Sequence, residues 1–134
     1  MPTRNLGQEN LMNYLDVWCN IRDSHKDLEF ASAVAGYLDF LQGKGLIAGW
    51  ILTRRKFGFG PQELGEFHVR IGGESLAQLD DAFSLVATRD GEIEKLHAKM
   101  YVHVTDLKSA LYRDFPDDVR VGAKAVQSTT RRKK

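Results

Sequence analysis

The run Met12-Asn13-Tyr14-Leu15-Asp16-Val17-Trp18-Cys19-Asn20-Ile21 governs how the rest of the chain is read. In an extended strand Leu15, Val17, Cys19 and Ile21 point one way, while Tyr14, Asp16, Trp18 and Asn20 point the other. The first set is a core face. The second mixes aromatic rings with a carboxylate and an amide, too apolar to be left in water and too polar to pack dry. A sheet built on this strand needs helices on its apolar side and something else on the other.

The helices follow in the sequence. Ser24 with Asp27 is close to a capping box, and Leu28, Ala31, Val34, Ala35, Leu38 and Leu41 recur at helical spacing until Gly43 and Gly45 stop the helix. Leu46 to about Lys56 reads as a second strand, broken by Gly58-Phe59-Gly60-Pro61. In Gly65–Ile71 the chain alternates again, with Phe67, Val69 and Ile71 against Glu66, His68 and Arg70. Ser75 and Gln78 open a helix whose apolar face holds Leu76, Leu79, Ala82, Phe83 and Val86. A third helix, from about Glu92 to Val104, buries Ile93, Leu96 and Met100. Leu107–Tyr112 permits a strand or a continuation of that helix; a strand completes the pattern, and Pro116 ends regular structure. The order is that of an α+β, ferredoxin-like split βαβ fold, a four-stranded antiparallel sheet with helices on one face.

The chain has 134 residues, 43% hydrophobic and 28% charged. A domain of that size buries roughly two-thirds of the surface its unfolded chain exposes. Residues 11–118 are expected to form one domain, between a flexible N-terminus (1–10) and a disordered basic tail (119–134) that lacks apolar periodicity. Arg131, Arg132, Lys133 and Lys134 turn an otherwise acidic chain into one of formal charge +1, so the folded body lacks the positive field that nucleic acid requires. No apolar run approaches the roughly 20 residues that span a bilayer, and no membrane association is expected. The N-terminus has no signal-peptide stretch, and the single cysteine, Cys19, excludes an internal disulfide. The expected location is cytoplasmic.

The uncovered sheet face is where function is sought. Besides Tyr14, Asp16, Trp18 and Asn20 it should carry His68 and Arg70 from the third strand, Trp50 and Arg54 from the second, and Tyr112 from the last. Pairing two such faces would enclose a cavity, which points to a homodimer. The strings NYLDVWCNIR, GWILTRRKFGFGP, GEFHVRI and ALYRDFPD, spread over residues 12–118, resemble a small bacterial family of unknown function within the dimeric α/β-barrel superfamily. The resemblance implies sheets paired into a barrel. Related families include cofactor-independent monooxygenases, haem-degrading enzymes, muconolactone-isomerase-like and stress-responsive proteins.

His68 is the leading catalytic candidate, with Asp16 as the partner that would orient its ring for general-base work. The competing reading is a hydrogen-bonded interface histidine. Trp18 and Trp50 would give flat contact area to a planar ligand, Arg54 or Arg70 would hold its negative group, and Tyr14 and Asn20 would complete the lining. No phosphate loop or dinucleotide fingerprint occurs, and His97 and His103 lack the spacing of a helical metal pair. Neither cofactor nor metal is expected. The sequence thus supports a small-molecule-binding homodimer with its pocket either between sheet and helices or across the dimer, or else a non-catalytic interaction protein whose open face only dimerises. If the first is an enzyme, the resemblance implies cofactor-independent oxygenation or proton transfer on a planar anionic compound.

Overall fold

Leu15, Val17 and Cys19 stand directly opposite Ile71, Val69 and Phe67, and this antiparallel pairing is the spine of the fold. The computed structural model describes residues 11–116. In it β1 (Asn13–Ile21) leads through a short 3₁₀ turn (Ser24–Lys26) into α1 (Asp27–Gly43), then β2 (Gly49–Arg54) and β3 (Phe67–Gly73). Next come α2 (Leu76–Ala87), α3 (Gly91–Tyr101) and β4 (Val104–Arg113). The sheet order is β2-β3-β1-β4, antiparallel throughout. The expected flexible terminus and basic tail lie outside the described residues.

The core forms where the inward faces of β1 and β3 meet Phe30, Val34, Tyr37, Leu38 and Leu41 of α1. Leu28, expected on that face, is 81% exposed. The helix turns Phe30 inward instead, and its ring meets Phe67 edge-on at 5.1 Å. The expected Ser24 cap of α1 does not form: Asp23 caps the 3₁₀ turn instead, accepting from the His25 backbone N–H, and Lys26 at the start of α1 provides no side-chain cap. Ser75 caps α2 as expected, accepting from the Gln78 N–H while Gln78 reaches back to the Glu74 N–H.

The last segment is a strand. α3 ends at Tyr101, and Val104, expected to close that helix, opens β4 opposite Ile21. The β1–β4 register slips between Trp18 and Asn20, where Asp106 takes a positive φ of 56°. This bulge is held by the Asn20 side chain, whose Nδ2 donates to Asp106 at 3.1 Å while its Oδ1 accepts from the Glu66 N–H at 2.8 Å. Gly65 passes so close to the Cys19 backbone that a Cβ would collide with its carbonyl. At the other end Asp114 accepts from the Met12 N–H and the Tyr14 hydroxyl, tying the end of β4 to the start of β1.

Candidate functional site

Strand pairing places Asp16 beside Arg70 and Trp18 beside His68 on the face away from the helices. Asp16 is only 1% exposed there, beneath the side chains that hold it. His68 Nε2 lies 2.6 Å from Asp16 Oδ1, and Arg70 grips both carboxylate oxygens, from Nε at 2.9 Å and Nη2 at 3.1 Å. The Trp18 indole stacks on the His68 ring at 4.9 Å, and the Arg70 guanidinium sits 4.2 Å over the Tyr14 ring. Burial works to raise the Asp16 carboxyl, but the hydrogen bonds from Arg70 and His68 prevail and hold it below the usual carboxylate range. The expected cluster of Asp16, His68, Arg70, Trp18 and Tyr14 is therefore real. Asn20 shares its face, with its amide already engaged at both ends.

Trp50 and Arg54 do not join it. They pair with Ile71 and Phe67 and so point to the helix side, while Ile51 and Thr53 take the places expected for them. The Trp50 Nε1 donates to Asp39 on α1 at 2.9 Å. Arg54 donates to Glu66 at 2.8 Å and Asp27 at 3.2 Å, a surface pairing at the sheet's edge. The error has a simple cause. Trp50, Ile51 and Leu52 are consecutive apolar residues, so alternation could not choose a face, and the pairing with β3 chose it. The two arginines expected to receive an anion are both occupied by carboxylates.

A second site emerges on the helix side. Between the sheet and the helices lies a cavity of about 270 Å³, floored by residues such as Leu15, Val17 and Ile71 and roofed from α1, α2 and α3. Its polar lining is small: Tyr37 from α1, His97 and Tyr101 from α3, and the Cys19 thiol. Burial pushes the Cys19 thiol up to about 11, leaving it a protonated core residue. The His97 ring meets Tyr37 edge-on at 5.3 Å and stacks on Tyr101 at 5.3 Å. Burial lowers the His97 pKa, with Arg89 lowering it further against the pull of Glu94. Sequence reading left a pocket open on this side, between sheet and helices, as well as across the dimer, but named none of this lining as site residues. The one available signal was His97 and Tyr101 four apart on a helix whose apolar residues face the sheet. Among the described residues no cluster of His, Cys, Asp and Glu is placed to hold a metal ion, and no helix is long and apolar enough to cross a membrane.

No curated protein sequence matches the chain. Several solved structures share the fold at low identity. SnoaB, a cofactor-independent oxygenase from Streptomyces nogalater, superposes with a TM-score of 0.57 at 10% identity, over 81% of this chain and 100% of its own. A dimeric ferredoxin-like protein of unknown function from Jannaschia sp. gives 0.56 at 11% identity, over 75% and 97%. A dimeric protein of unknown function and ferredoxin-like fold from Bacteroides fragilis gives 0.53 at 13%, over 79% and 98%. At such identities the likeness establishes a ferredoxin-like fold, one shared with proteins described as dimeric. The sequence itself matches a family model over residues 12–126, and the chain belongs to DUF6614, a family of unknown function.

Proposed function

We propose that the protein is a homodimer, paired through its open sheet faces, that binds a small neutral planar molecule in the helix-side cavity. The observation that carries this reading is the cavity of about 270 Å³, close to the lower end of small-ligand pockets at roughly 300 Å³. Its lining has no lysine, arginine, aspartate or glutamate. An ionised ligand would lose its hydration there without gaining a counter-charge, whereas a neutral ring loses little. Tyr101 and Leu107 belong to the lining yet are exposed, marking the side from which a ligand enters.

The dimer is supported by the dimeric neighbours and by the face itself, where exposed Ile51 and Tyr112 flank the Asp16 cluster. The likeness in fold to SnoaB supports cofactor-independent oxygenation of a bound electron-rich ring as the reaction class. A cytoplasmic setting belongs to the same reading, since the lone cysteine is buried and free. Native mass spectrometry of protein purified from its own host tests both parts. The expected result is twice the 15.1 kDa chain mass plus a retained organic molecule. A bare monomer would overturn the proposal.

A second reading is favoured by the 2.6 Å contact between His68 and Asp16. Here the pair does acid–base work in a space between the two sheets, lined by Trp18, Tyr14, Asn20 and Arg70. Nδ1 of His68 has no hydrogen-bond partner among the described residues, so a ligand could exchange a proton there.

A further inference from the structure

Buried hydroxyl groups are nearly always paired. Tyr37 is 5% exposed, yet its hydroxyl makes no hydrogen bond among the described residues. Its side chain lines the cavity, an unfilled space from which a partner can approach. Beside it, edge-on at 5.3 Å, is the His97 ring, which likewise has no hydrogen bond or ion pair among the described residues. A neutral imidazole offers one donor and one acceptor, and a tyrosine hydroxyl offers both. Two such groups side by side complement a third hydroxyl. One can accept its proton in a hydrogen bond while the other donates to its oxygen. The burial that lowers the His97 pKa keeps the ring neutral, so recognition needs no charge on either partner.

We propose that Tyr37 and His97 form a hydroxyl-recognition pair, and that the ligand class is an apolar ring system bearing one hydroxyl group. This rests on the cavity being a ligand site, as argued above, and it names the group that orients the ligand within it. The ring system lies against Val17, Val34 and Ile71, and the hydroxyl end lies toward α1 and α3. Tyr101, stacked on His97 at 5.3 Å and partly open to solvent, holds that ring in place at the entrance.

Equilibrium dialysis with three probes tests it: 2-naphthol, 2-methoxynaphthalene, which cannot donate, and naphthalene, which has no polar group. The wild-type protein is expected to bind 2-naphthol about tenfold more tightly than naphthalene, with 2-methoxynaphthalene close to naphthalene. Tyr37→Phe and His97→Phe should each shrink the ratio of 2-naphthol to naphthalene affinity to about twofold. If either variant fails to fold, the three-probe comparison on the wild-type protein still decides. Equal binding of all three probes overturns the recognition pair and leaves the cavity reading standing. A tenfold preference that survives both substitutions also overturns it, because something other than these two groups then reads the hydroxyl. Failure of every probe to bind removes the cavity reading and this inference together.

Discussion

Asp16→Asn keeps the side-chain shape and removes its charge, and it should destabilise the protein by about 2 kcal/mol at neutral pH. Asp16 is 1% exposed and accepts hydrogen bonds from His68 Nε2, Arg70 Nε and Arg70 Nη2. Removing one partner from a fully buried ion pair costs about 3–5 kcal/mol, because the other charge is stranded. Here the stranded partners are not fully buried: the side chains of Arg70 and His68 are 39% and 29% exposed. Water can reach them, which reduces the figure to about 2 kcal/mol. At roughly 4 °C or a little less per kcal/mol for a chain of this size, the melting temperature should fall by about 7 °C. The pH dependence supplies a second check. The Asp16 carboxyl is depressed below its ordinary 3.8 in the folded state, so its stabilisation is complete above that value and is lost as pH falls through the folded value. The gap between wild type and variant should therefore hold at pH 7 and close in strong acid. Thermal unfolding followed by circular dichroism measures both, at matched protein concentration because an oligomer's melting temperature depends on it. A variant melting within about 2 °C of wild type at pH 7, or a gap that persists in acid, would refute the reasoning.

Three further substitutions bear on the remaining structural claims. His68→Gln keeps a hydrogen bond to Asp16 but cannot shuttle a proton. Turnover of an identified substrate should drop by about a hundredfold or more with folding intact if the pair is an acid–base device, whereas a loss of about 1–3 kcal/mol with unchanged ligand binding marks a structural histidine. Trp18→Asp puts a charge in the middle of the proposed dimer face, and light scattering should report a monomer; a persistent dimer would mean the sheets pair elsewhere. Gly65→Ala drives a methyl group into the Cys19 carbonyl and should cost at least about 2 kcal/mol in urea unfolding, so an unchanged midpoint would show that this crossing is looser than the structure has it.

Strict alternation in β1 and β3 made the sheet's two faces legible, and with them the company of Asp16, His68 and Arg70. Both strands place apolar residues on every second position, with Asp16 and Asn20 or His68 and Arg70 among those between, so only one assignment keeps the core dry. The order of elements and the α2 cap were legible for the same reason, since each depends on residues within a few positions of one another. Where the local pattern was ambiguous, the tertiary structure decided. In β2 three apolar residues in a row left both faces possible, and pairing with β3 sent Trp50 and Arg54 to the helix side. In α1 both Leu28 and Phe30 could have faced inward, and contact with Phe67 selected Phe30. The bulge at Asp106 arose from a mismatch between two strands that neither carries alone. The cavity is the extreme case. Tyr37 and His97 lie sixty positions apart on helices that read as ordinary amphipathic faces, and the space between them exists only because three helices and a sheet pack without filling it. Periodicity reports which way a side chain points, whereas an empty volume depends on what every neighbouring element leaves unoccupied.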